Sequence, residues 1–165
     1  NMLDYIIDQA YEKKMKIIMN PSPFDDKLNT CDLGKIYLFL LNEIEGEQIT
    51  GYKDKDQILY AMAEKFPNAR FVLTLGSDGA VYYDGKEKVF QDIFEVKAVD
   101  TTAAGDTFTG YFIAAVIEDR SVQEALRMAA KASSIAVSRP GATPSIPAMD
   151  EVKGKLGMQD FNKTE

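Results

Sequence analysis

Three short apolar runs, at residues 16–19, 35–41 and 71–75, alternate with segments of helical period. This alternation restricts the fold more than any other feature of the chain. Residues 2–14 carry Met2, Leu3, Ile6, Ile7 and Ala10 at amphipathic-helix spacing. Asn20-Pro21-Ser22-Pro23 stops the first run, and Asn42 follows the second, where it can cap a short helix over residues 43–47. Asp54, with Gln57 three residues on, forms a capping-box pattern for a helix over residues 55–65, which Pro67-Asn68 ends. Strands separated by helices pair in parallel, and the helices cover the sheet.

The pattern changes after residue 75. Gly76-Ser77-Asp78-Gly79 leads into Ala80–Tyr83, and Asp84-Gly85 leads into residues 88–90. These are hairpin signals. Two helices follow. The first starts near Gly105 and places Phe108, Tyr111, Phe112, Ala115 and Val116 at helical spacing. The second is capped by Ser121, has Glu124 at the capping-box position, and runs to residue 137. Pro140, Gly141, Pro144 and Pro147 make a stiff loop, Met149–Leu156 reads as a last helix, and the tail at 158–165 is expected to fray. The expected class is α/β, with a mostly parallel sheet flanked by helices and a hairpin region, residues 1–157 forming one portion. The chain opens directly in a helix, as expected for a piece of something larger.

Composition narrows the chemistry. A net charge of −7 without a Lys/Arg run argues against nucleic acid or an acidic membrane as partner. No apolar run approaches the roughly 20 residues that span a bilayer, and no secretory signal is visible. Cys31 is the only cysteine, which excludes an internal disulfide and fits a reducing cytoplasm. There is no histidine, so Ser-His triads and histidine metal sites are excluded within this chain. Carboxylates, hydroxyls, Lys/Arg and backbone amides are what remains.

Asp100-Thr101-Thr102-Ala103-Ala104-Gly105-Asp106 puts small residues and a carboxylate at the mouth of an apolar helix. A helix start exposes N–H groups and a partial positive charge, which together hold phosphate. Ala103, Ala104 and Gly105 let an anion approach the backbone, and Asp106 could take a proton from a hydroxyl beside it. Locally, a capped core helix with Asp106 favouring the dipole is the simpler alternative. Asn42-Glu43-Ile44-Glu45 fits two roles equally: Asn42 on a phosphate oxygen with Glu45 holding magnesium through water, or a capping box. Thr74, Leu75, Gly76, Ser77, Asp78 and Gly79 offer free N–H groups to a ligand, or make a plain hairpin turn. Arg139-Pro140-Gly141-Ala142-Thr143-Pro144-Ser145 is rich in fixed carbonyls that suit a monovalent cation, or is a connector.

In their order along the chain these motifs resemble the C-terminal part of the ribokinase-like (PfkB) carbohydrate kinases, over essentially the whole chain to Val152. The resemblance implies a Rossmann-like fold whose N-terminal part, β lid and sugar pocket are absent here. It implies ATP-dependent phosphorylation of a sugar hydroxyl in the cytoplasm. Asp106 would be the catalytic base and the sole surviving sugar contact, with the amides of Ala103, Ala104 and Gly105 as anion hole. Asn42, Glu45 and Thr74 to Gly79, with Gly105 and Asp106, would meet ATP and Mg2+. Asp100, Thr102, Ala136, Arg139, Gly141 and Ser145 would hold K+, several through carbonyls. Ala130 stands where the family often has Asn or His near the nucleotide, and Tyr111, read as packing, stands where a small residue is usual. The implied partners are ATP and a small sugar, and family dimers form through the absent lid. Fructose, a sugar phosphate or a nucleoside are alternative acceptors. A non-catalytic nucleotide-binding module is the rival class, against which the retained Gly105 and Asp106 argue.

Overall fold

Unbroken apolar runs form strands buried on both faces, and in the computed structural model two such runs lie side by side at the centre of the sheet. The structure describes residues 2–157. Strands β1 (Ile18–Met19), β2 (Leu38–Asn42), β3 (Arg70–Thr74), β4 (Ala80–Tyr83) and β5 (Lys88–Gln91) make one sheet in the order of the chain. β1, β2 and β3 pair in parallel, and β4 turns back antiparallel to β3. The chain divides into two units: residues 1–76 with 80–90, and residues 77–79 with 91–165.

In the first unit, helices α2 (Glu43–Thr50) and α3 (Lys55–Lys65) supply the β2-to-β3 crossover that parallel pairing demands, and α1 (Met2–Glu12) precedes β1. The core gathers Ile7 of α1, Phe39 and Leu41 of β2, Ile58, Leu59 and Met62 of α3, and Phe71 and Leu73 of β3. The Phe39 ring stacks on Phe66 at 5.1 Å and on Phe71 at 5.9 Å. Leu38, Leu40 and Val72, of the opposite parity, are buried as well.

In the second unit, α4 (Ala104–Ile117) buries Phe108, Tyr111, Phe112 and Ala115. α5 (Val122–Val137) buries Ala125, Leu126, Met128, Ala129, Ala132, Ile135 and Ala136. This i, i+3, i+4 pattern is rich in alanine and lets helix backbones approach closely. α6 (Met149–Leu156) buries Val152.

The expected fold class is what the structure has. Local differences have local causes. The first strand is only Ile18–Met19. The second begins at Leu38, because Asp32 caps a 3-10 turn over Leu33–Lys35 by accepting from the Gly34 amide. Asp54 caps α3 by accepting from the amides of Asp56 and Gln57, but no reciprocal bond from Gln57 completes a box. The expected frayed tail lies outside the described residues.

Candidate active site

The first unit carries its candidates at the C-terminal ends of two adjacent parallel strands, where open α/β sheets bind ligands. Asn42 ends β2 and Thr74 ends β3, and they are register partners. Leu75 is buried directly after, and Gly76 adopts a positive φ of 57°. Asn42 also caps α2: its side-chain oxygen accepts from the Glu45 amide at 3.0 Å, and Glu45 Oε2 accepts from the Asn42 amide at 2.9 Å. Of the two roles open to this motif, the capping box is therefore built. Glu45 is 4% exposed and commits one carboxylate oxygen to the box, which leaves the other.

The second unit holds Ser77, Asp78 and Gly79. Gly79 has φ 90°, and a Cβ there would meet the Gln91 carbonyl oxygen at 2.3 Å, so only glycine fits.

The start of α4 is built differently from those of α2, α3 and α5, which side chains cap. Its N-cap is Ala103, which has no side chain to offer, and no side-chain hydrogen bond caps it. Asp106 is exposed, in the first turn, and no hydrogen bond engages its carboxylate among the described residues. At α2 and α5 the carboxylates in the same position, Glu45 and Glu124, turn back onto the capping residue's amide. Side-chain capping therefore does not account for this stretch, whereas Asp106 in the first turn still favours the helix dipole. Gly105 is also unexplained by packing: it is exposed, and an added Cβ would meet nothing within 4 Å. Glycine within a helix costs about 1 kcal/mol relative to alanine. The fold bears this cost without using it, which leaves open backbone where an anion can approach.

Asp100 organises the approach to this helix. Its Oδ1 accepts from the Thr102 amide at 2.9 Å and the Thr102 hydroxyl at 2.5 Å, and its Oδ2 accepts from the Gly141 amide at 3.0 Å. The Thr102 hydroxyl, then the two amides, hold its carboxyl below the usual carboxylate range. Ala136 is buried at the end of α5, and its carbonyl accepts from the Arg139 amide. Of the six candidate cation ligands, Asp100, Thr102 and Gly141 are joined directly. The other side chains face elsewhere: Arg139 pairs with Glu151 of α6, and the Ser145 hydroxyl donates to the Ala142 carbonyl at 2.6 Å. Ala130 is half-buried in the middle of α5.

Four features escaped the sequence reading. The Ser133 hydroxyl donates to the Ala104 carbonyl at 3.1 Å, pinning α5 to the first residue of α4. Glu151 accepts from both Arg139 and Lys155, and these cations, Lys155 first, hold its carboxyl low. The Thr107 hydroxyl is buried without a partner among the described residues. The Tyr111 hydroxyl donates to the Pro147 carbonyl at 2.7 Å. The Glu151–Lys155 pair has i,i+4 helix spacing and was open to local pattern, whereas local pattern carries no signal for the Ser133–Ala104, Arg139–Glu151 and Tyr111–Pro147 bonds, although a buried tyrosine always raises the question of where its hydroxyl goes.

Comparison with known proteins agrees with the fold. The profile of the pfkB family carbohydrate kinases matches residues 2–149. The ribokinase of Lactococcus lactis is 32% identical over 151 residues, covering 92% of this chain and 48% of its own length. A probable fructokinase of Arabidopsis thaliana is 31% identical over 159 residues, covering 91% of this chain and 48% of its own. Among solved structures, Arabidopsis thaliana ribokinase complexed with ribose and ATP superposes with a TM-score of 0.80 at 30% identity, covering 93% of this chain and 51% of that one. The chain spans about half the length of the relatives it matches.

Proposed function

The chain belongs to the pfkB family of carbohydrate kinases, and from that premise we propose that it is the ATP-binding, catalytic-base portion of a kinase that phosphorylates a sugar hydroxyl. The observation that carries this reading is Asp106, a carboxylate in the first turn of an uncapped helix and unused by the fold. Asp106 accepts the proton of the sugar hydroxyl as that oxygen attacks the γ-phosphorus of ATP, and the bond to the β-phosphate oxygen breaks to release ADP. The amides of Ala103 and Gly105, with that of Ala104 once it leaves the Thr101 carbonyl to which it donates at 3.1 Å, stabilise the charge on the transferred group, since such transfers depend on positioning and electrostatics.

Thr74, Leu75, Gly76, Ser77, Asp78 and Gly79 contribute backbone to the nucleotide, with Asn42 beside Thr74 in register. Magnesium would neutralise phosphate charge, and the uncommitted oxygen of Glu45 fits the orienting of its water ligands. A potassium-type ion fits Asp100. Its Oδ2 accepts one bond and has a second lone-pair site, and Gly141, at φ 86°, turns the loop carbonyls within the same network.

Ribose is the first-choice acceptor, because the relatives named ribokinase and the ribose complex support it. The fructokinase relative supports fructose as the second reading. Steady-state kinetics of the longer enzyme with a panel of sugars decides between them. The isolated chain, with Asp106 as its sole sugar contact, is expected to be inactive. Sugar-dependent ATP turnover by this chain alone would refute that expectation.

A further inference from the structure

A tyrosine used only for packing buries its ring, and its hydroxyl then needs a partner. Tyr111 is 8% exposed, and its hydroxyl reaches across 36 residues of sequence to the Pro147 carbonyl at 2.7 Å. Burial, then the charge of Glu151, push its phenol up, so it stays a donor across the physiological range. Pro147 is buried, has no N–H, and so carries this carbonyl as its single main-chain polar group. It immediately precedes Ala148, the N-cap of α6.

The loop 139–147 is therefore held at three places. Arg139 pairs with Glu151 of α6, the Gly141 amide donates to Asp100, and Pro147 accepts from Tyr111. Two of these tethers lead to α4. One acts just ahead of its first residue, through Asp100 and Thr102, and the other acts in its third turn. The Ser133 bond to the Ala104 carbonyl already holds the first residue of α4, and a tether in its third turn restricts pivoting and turning further. Asp106 and the open amides of Gly105 lie between the two tethers. Reacting groups are sensitive to such motions, since a shift of about 1 Å can cost on the order of 10²-fold in rate.

We propose that Tyr111 is a positioning residue: through Pro147 its hydroxyl fixes the loop 139–147 against α4 and so orients Asp106. The orienting of Asp106 rests on the kinase reading above; the tether itself does not.

The test is Tyr111→Phe, which keeps the ring and removes the hydroxyl. In this chain, amide hydrogen exchange is followed at Gly141 and Thr102, whose amides donate to Asp100, and at Leu126 in the core of α5. The expected result is about tenfold faster exchange at Gly141 and Thr102, as loss of one hydrogen bond allows, with Leu126 unchanged. Phe112→Leu, a packing lesion in the same helix, should show no such selectivity. Equal acceleration everywhere, or none at Gly141, would overturn the tether. In the longer enzyme, Tyr111→Phe should lower kcat about tenfold or more and leave the KM for ATP unchanged. An unchanged kcat in an active enzyme would overturn the orienting role. If the unmodified enzyme shows no sugar-dependent turnover, the kinase reading fails, while the exchange measurement still decides the tether.

Discussion

Glu45 and Asp106 occupy the same station, the third residue of a helix, and the two regions of the molecule use it in opposite ways. In α2 the carboxylate reaches back to the Asn42 amide while Asn42 returns the bond, and Glu45 is buried. In α4 the capping position is Ala103, and Asp106 stays exposed and unbonded among the described residues. A helix start has several N–H groups to satisfy. In α2 side chains satisfy them, and those amides are closed to a ligand. In α4 no side chain does, and the Gly105 amide and the Asp106 carboxylate remain for one. The comparison teaches that stability and reactivity are assigned to different helix starts of one chain.

The strongest attempt to break this comparison is Asp106→Asn. Turnover of the longer enzyme should fall about 10²- to 10⁴-fold, the usual contribution of a positioned base. Stability should change by less than about 1 kcal/mol, the size of a helix-dipole effect. Kinetics and calorimetry on one preparation check both, and retained turnover would remove Asp106 from its role. Asn42→Ala should cost about 1 kcal/mol in a denaturant melt through loss of the cap, an effect on stability that Asp106→Asn lacks.

Gly105→Ala sharpens the contrast within α4. The added methyl meets no neighbour, so the chain should gain up to about 1 kcal/mol in helix stability, while the longer enzyme loses rate because the methyl crowds the anion. A loss of stability would mean that packing, not a ligand, demands this glycine.

The smallest effect concerns pH. Thr102 and Gly141 hold the Asp100 carboxyl low. A lowered carboxylate contributes stability that is present above its unfolded pKa of about 4 and is lost as pH falls through the folded value. Melting curves of the unmodified chain and Asp100→Asn should therefore differ above pH ~4 and converge in stronger acid.

Much of this was legible in the sequence because it is local. α5 was read with its Ser121–Glu124 box, and α6 with its bounds, since caps and period lie within a few residues of each other. Strand ends were less legible. The run at 35–41 looks like a single strand, but Asp32 draws its first residues into a 3-10 turn. The helix start at 103–106 was ambiguous for another reason. An aspartate in a first turn can cap or stay free, and residue type alone does not say which.

By itself the sequence determined the class of fold and the places where chemistry could sit, because period, capping residues and turn glycines act over a turn or two of chain. Tertiary structure decided which of those places stayed open. It joined Asp100 to Gly141 and Tyr111 to Pro147 across 41 and 36 residues. The reason is physical: most buried polar groups, the Tyr111 hydroxyl among them, take a partner, and only the folded backbone determines which partner lies within reach.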